Sequence, residues 1–182
     1  MYRVFLDTET TGLSSTVNQI LTMAIVIYDG DTIIHEEEFG LRIQRWARID
    51  PVAMTVHKIN LVEHNLTALE IGEFCEKIYS ILDTYELEKP KPHGHNVQFD
   101  IRMVQAIFRR ADKPYPFSIY YEDSLILARQ LKKKGQIIVD NCQLSTLCTL
   151  FGLTAKYHNA LEDTQATAKV YFALLTLRGT LI

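Results

Sequence analysis

The order of apolar patterns along this chain predicts an α/β fold: a mixed β-sheet with helices on both faces. Three observations lead there. Three strand-like segments come first, two of them joined by a tight turn. Helix-like and strand-like segments then alternate. The length of 182 residues suits one domain with a single hydrophobic core, so residues 1–182 are read as one unit.

The elements follow in chain order. Residues 2–7 (YRVFLD) form a short apolar run with the alternation of a strand, and they lead into a loop. Residues 20–28 (ILTMAIVIY) read as a buried strand. Asp29-Gly30-Asp31 supplies turn chemistry, and residues 32–39 return as a third strand. Pro51 opens a short helix that ends near His57. Residues 67–82 place Ile71, Phe74, Cys75, Ile78 and Leu82 on one helical face. Glu88-Lys-Pro-Lys-Pro92 is a hinge too short to divide domains. Residues 93–96 are a short strand, and Ile101, Val104, Phe108 and Ala111 mark the next helix. A fifth strand is expected over 119–123, with helices over about 124–133, 143–151 and 160–176.

Composition narrows the function. With 47 % hydrophobic and 23 % charged residues the chain is globular rather than disordered. No apolar run reaches the roughly 18 residues of a membrane helix. Asp7 and Glu9 interrupt the N-terminal segment too early for a signal peptide. Cys75, Cys142 and Cys148 form no CxxC pair and no disulfide framework, so they read as reduced core residues of a cytoplasmic protein. A formal charge of −3 argues against a protein that coats DNA, yet two bound divalent cations would carry it to +1. Acidity is therefore compatible with a metal-dependent nuclease.

Three segments carry the chemistry. Asp7-Thr8-Glu9 lies where the first strand runs out, and residues two apart on a strand share a face. The two carboxylates can converge as hard ligands for Mg²⁺ or Mn²⁺. His95-Asn96-x-x-Phe99-Asp100 follows a strand and opens a helix, with Asp100 just inside it, where an anion suits the helix dipole. His158-x-Ala160-x-x-Asp163 precedes an apolar-periodic helix, with Asp163 in its first turns and His158 in the loop before it. Taken singly, each segment has an ordinary explanation: an exposed acidic pair, a helix cap, a surface histidine among five others. Together they are four carboxylates and one histidine in three segments, each at a strand end or helix start.

DTETTGL, HNVQFD and HNALED resemble the three motifs of the DEDDh, or epsilon-like, 3′→5′ exonucleases. The segments Ile49-x-Pro51-x-Ala53-x-x-Val56-His57-x-Ile59, Asp123-Ser-Leu-x-Leu-Ala-Arg129 and Leu144-x-x-Leu147…Phe151-Gly-Leu153 are similar to secondary family segments, so the resemblance covers nearly the whole chain. It departs from the family at Lys91-Pro-His-Gly-His95, where an apolar strand is usual, and at Lys58, where glycine is common.

The resemblance implies an RNase H-like fold, a five-stranded mixed sheet of order 3-2-1-4-5 with its first three strands antiparallel. It implies hydrolysis of single-stranded nucleic acid to nucleoside 5′-monophosphates, with DNA favoured and RNA the alternative, in the setting of DNA proofreading or repair. Two divalent cations, Mg²⁺ or Mn²⁺, would be held by Asp7 (both ions), Glu9 and Asp163 (the first) and Asp100 (the second). His158 would be the general base, since an unperturbed imidazole titrates near about 6.5. Thr10, Leu13, His57, Asn96 and Phe99 would hold the 3′ end, with Leu13 as an apolar wedge. The expected partners are single-stranded DNA or RNA 3′ ends, with no membrane; the chain stops soon after the last helix, without a tail like those that join proofreading members to a polymerase.

Two rival readings are weaker. A haloacid-dehalogenase-like phosphatase wants Asp-x-Asp where this chain has Asp7-x-Glu9, and has no use for His158. A non-catalytic nucleic-acid-binding relative should have lost a ligand, and none is missing. Two basic runs, Arg42/Arg45/Trp46/Arg48 and Lys132–Lys134, are solvated faces or phosphate tracks.

Overall fold

A computed structural model describes residues 1–153 and 159–179. Strand β1 (Tyr2–Thr10) pairs antiparallel with β2 (Ile20–Asp29), which pairs antiparallel with β3 (Thr32–Gly40) through a two-residue turn. On its other edge β1 pairs in parallel with β4 (Pro92–Gly94), and β4 with β5 (Glu122–Asp123). The sheet order is β3-β2-β1-β4-β5, as expected. The helices are α1 (Pro51–His57), α2 (Leu61–Thr67), α3 (Ile71–Thr84), α4 (Gln98–Arg110), α5 (Ser124–Lys133), α6 (Leu144–Leu150) and α7 (Ala160–Arg178).

Side-chain alternation on β1 builds two cores. Val4 and Leu6 point to one face, where α3 and α4 bring Phe74, Ile78, Val104 and Ile107. Phe5 points to the other, against Leu127 and Leu131 of α5, Leu147 of α6 and Val170, Tyr171 and Leu174 of α7. Cys75, Cys142 and Cys148 are buried in these cores. No described helix is long and apolar enough to cross a membrane.

Three elements differ most from the sequence reading. Strand β1, expected to end at Asp7, runs on to Thr10 because its pairing with β2 continues through Glu9. The helix expected over 67–82 starts at Ile71, and a separate α2 stands before it. Helix α2 buries none of its residues and begins at Asn60, whose side chain accepts from the amides of Val62 and Glu63. Without an apolar face it left no period to detect. Strand β5 is only two residues long, because pairing to β4 stops at His93↔Glu122 and Gly94↔Asp123.

The polar strand at 91–95 is nonetheless buried: Pro92, His93 and Gly94 are all inside. The His93 ring sits 5.0 Å from Phe5 and 5.4 Å from Tyr171, taking the place of an aromatic. Gly94 is needed by close approach, since a Cβ there would lie 2.7 Å from the Val97 side chain and 3.0 Å from the Leu6 carbonyl. Lys58, at the end of α1, holds φ 57°, the left-handed conformation that explains a family preference for glycine.

Two stability predictions follow from these residues. Burial drives the His93 imidazole down to about 4. The unfolded chain takes up a proton near about 6.5 that the folded chain refuses until well below, so stability falls as pH drops through this window and is unaffected above it. Urea denaturation should show wild type losing roughly 1–3 kcal/mol more than His93→Leu between neutral pH and about pH 4.5; equal losses would refute the burial argument. Lys58→Gly should stabilise the fold by about 0.5–1 kcal/mol in the same assay, by relieving the left-handed strain.

Candidate active site

The alternation that builds two cores also distributes the site. Asp7 and Glu9 continue the face of Phe5, toward α7, while Thr8 continues the face of Leu6, toward α4. In the first turn of α7, Asp163 meets Asp7 and Glu9: one oxygen from each of the three carboxylates lies within 4.8 Å of the others. No other group of three His, Cys, Asp or Glu among the described residues comes as close.

Asp100 arrives from the other side. Parallel pairing of β1 with β4 is confined to Val4↔Pro92 and Phe5↔His93, so the later residues of β1 have no strand partner on that edge. The first turn of α4 takes that place, and buried Asp100 accepts a 2.6 Å hydrogen bond from the Thr8 hydroxyl. At Glu9/Thr10 the β1–β2 register shifts, a bulge that turns the chain out of the sheet into the loop carrying Leu13. Gly12 holds φ 154° in that loop, and a Cβ on it would lie 2.6 Å from the Asn18 side chain.

The electrostatics are those of a cation site. Burial, followed by the charges of Asp100, Glu9, Asp163 and Glu38, pushes the Asp7 carboxyl well above its usual range. Burial, then Asp163, Glu38 and Asp100, pushes Glu9 up to about 7. Burial also raises Asp100 to about 7, against the Thr8 hydrogen bond that favours its charged form. Like charges this close are costly unless cations neutralise them, and a donor set of hard carboxylate oxygens fits Mg²⁺ or Mn²⁺. The residues present therefore fit a divalent-metal centre.

Sequence reasoning missed Glu38. It shares a face with Ala24 and Asp7, the three lying in one row across β3, β2 and β1 (Asp7↔Ala24↔Glu38). Its carboxylate accepts from the Leu161 amide at 2.9 Å, in the first turn of α7. Two residues back, Glu36 accepts from the Gln165 side chain at 2.6 Å. Strand β3 thus grips the helix that carries Asp163. The signal was present: three consecutive glutamates in a strand, of which only alternate members share a face.

The remaining expected residues fall in different settings. Leu13 is 83 % exposed at the rim, which rules out core packing as its role. Phe99 is partly buried against the α3/α4 core. Thr10 is buried, its hydroxyl donating to the Gly12 carbonyl. Asn96 is exposed at φ 62°, a left-handed conformation asparagine tolerates, and its amide donates to Asp123 at 3.0 Å. The same Asp123 oxygen caps α5 through Leu125, so Asn96 is firmly held despite the polar strand before it. His57 is buried at the end of α1, its Nδ1 accepting from the Ile59 amide. His158 lies outside the described residues.

Comparison with known proteins agrees with this arrangement. The RNase_T exonuclease family model matches residues 4–171. A PolC-type DNA polymerase III of Bacillus cereus is 28 % identical over 178 residues, covering 96 % of this chain and 11 % of the polymerase. Ribonuclease T of Buchnera aphidicola is 26 % identical over 196 residues, covering 99 % of this chain and 86 % of the ribonuclease. The zinc-bound complex of E. coli exonuclease I with single-stranded DNA superposes with a TM-score of 0.81 at 22 % identity, covering 96 % of this chain and 40 % of that one. The last shows a shared fold.

The charge cluster makes a prediction of sign. Asp7→Asn should raise the melting temperature in EDTA, because it removes a buried like charge at nearly constant volume. The same substitution should abolish most of the rise that millimolar Mg²⁺ produces in wild type. Scanning fluorimetry with and without Mg²⁺ checks both. A wild type indifferent to Mg²⁺ and Mn²⁺ would argue against a metal centre here.

Proposed function

The chain belongs to the RNase_T exonuclease family, DEDDh-type nucleases of the RNase H-like superfamily, and on that premise we propose that residues 1–182 form one 3′→5′ exonuclease domain acting on single-stranded nucleic acid. The observation that carries the reading is the meeting of Asp7, Glu9 and Asp163, with Asp100 buried beside them. A binding module has no reason to bear the cost of such a cluster. The single strand in the exonuclease I complex and the ribonuclease among the relatives support a strand of either sugar, with DNA favoured.

Each residue has a role in this reading. Asp7 would serve two cations, Glu9 and Asp163 would complete the first set of ligands, and Asp100 would serve the second. When bound, Mg²⁺ or Mn²⁺ supplies Lewis-acid neutralisation of the scissile phosphate and of the leaving 3′-oxygen. His158 accepts the proton of the attacking water. Thr8 orients Asp100, and Glu38 orients the start of α7, which immediately follows His158-Asn159 in sequence. At the strand end, Leu13 wedges against the terminal bases, Phe99 and Asn96 line the nucleotide, Thr10 contributes its main chain, and His57 backs the pocket. A paired end must be unstacked before it can enter, so single strands are preferred over blunt duplexes. The product is a nucleoside 5′-monophosphate.

The test is one assay of the purified chain on 5′-labelled single-stranded DNA and RNA, with Mg²⁺ and with EDTA. A ladder shortening from the 3′ side in Mg²⁺, and none in EDTA, is expected. His158→Ala should lower turnover by roughly 10²–10⁴-fold while leaving Mg²⁺-induced thermal stabilisation in place. Full activity after exhaustive chelation, or cutting of a circular single strand at a comparable rate, would overturn the reading.

A further inference from the structure

We infer that the segment between β3 and α1 is a second contact surface for the single strand, on which a base upstream of the nucleotide being removed stacks on Trp46 while Arg45 and Arg48 hold its phosphates. The inference rests on the exonuclease reading above and extends it away from the metal ligands.

The segment is tied to the loop that carries Leu13. The Arg48 amide donates to the Val17 carbonyl at 2.7 Å, and Asn18 donates to the Arg48 carbonyl at 2.8 Å. The Asp50 amide donates to the Thr11 carbonyl at 2.7 Å. Fully buried Gln19 accepts from the Gln44 amide and donates to the Arg42 carbonyl. A segment without regular secondary structure is thus fixed, through buried amide side chains, to the chain leaving Glu9 and Thr10.

Its exposed side chains suit a nucleic-acid strand. Trp46 remains 36 % exposed although the guanidinium of Arg110 lies 4.0 Å over its ring. Arg110 itself is anchored by the carbonyls of Ser15 and Thr16, next to the Leu13 wedge. One face of the indole is therefore backed by a fixed cation, and a base stacking on the exposed part would complete a sandwich. Arg42 is neutralised by Glu70 at 2.7 Å, but Arg45, Arg48 and Arg110 make no ion pair among the described residues. In a chain of net charge −3, unpaired arginines around an aromatic, beside a cluster of carboxylates, mark a route for a polyanion.

Trp46 is the only tryptophan in the chain, so its emission reports on this surface alone. The experiment titrates the inactive Asp7→Asn protein with single-stranded dT12 and with dT2, following tryptophan emission and, in parallel, the anisotropy of 5′-labelled dT12. Saturable quenching by dT12 at the concentration where anisotropy rises, with little quenching by dT2, is expected. Trp46→Ala should weaken dT12 binding roughly tenfold and Trp46→Phe should restore most of it. Arg45→Gln with Arg48→Gln should flatten the salt dependence of dT12 binding. Binding of dT12 with unchanged emission, or an equal loss of dT2 and dT12 binding in Trp46→Ala, would overturn the Trp46 surface and leave the exonuclease reading standing. Absence of any dT12 binding by the Asp7→Asn protein, together with no shortening of dT12 by wild type in Mg²⁺, would count against both.

Discussion

Carboxylates repel one another, and this protein must hold Asp7, Glu9, Asp163 and Asp100 together against that repulsion. Burial first, and then the neighbouring charges, raise the proton affinities of Asp7 and Glu9, while burial raises that of Asp100. The rest of the architecture follows from that requirement. The four carboxylates come from a central strand and from two helices on opposite faces of the sheet, and each is backed by a hydrophobic core. The repulsion is therefore borne by the packing of Phe5 against α7 and of Leu6 and Val4 against the α4 side, rather than by mobile loops.

The supporting contacts are as telling as the carboxylates. Strand β3 sits two strands away from β1, yet Glu38 reaches the first turn of α7 and Glu36 holds Gln165 one turn further on. Ala24 lies between Asp7 and Glu38 in the same row, and its small side chain keeps that face open. On the other side, Asp123 joins Asn96 to the start of α5, and Ser124 donates to the Gly94 carbonyl while bonding the His95 ring. These contacts turn a three-residue strand into a rigid support for the helix of Asp100.

Glu38 also illustrates a conflict. Its charge stabilises a helix start, where an anion is favourable, but adds to the repulsion felt by Asp7 and Glu9. A purely structural cap could have been neutral, as Asn159 is at the same helix through its bond to the Glu162 amide. A fifth negative charge becomes an advantage when the site is filled by cations.

Local pattern determined much of this protein. Alternation in residues 2–7, the Asp29-Gly-Asp31 turn and the helical periods of α3, α4 and α5 are properties of short windows, and so are legible in the sequence alone. The acidic segments can be recognised because their carboxylates sit in the last residues of a strand or the first turn of a helix. The tertiary structure alone decided what depends on distant partners. His93 is buried because Phe5 and Tyr171 surround it, although its own segment is polar. Helix α2 exists through its Asn60 cap and not through an apolar face. Glu38 acts on a helix start 123 residues away, and the backbone of Arg48 is hydrogen-bonded to Val17 and Asn18 of the Leu13 loop. Hydrophobic periodicity is written into neighbouring residues, whereas the partner that a hydrogen bond across the fold will meet is not.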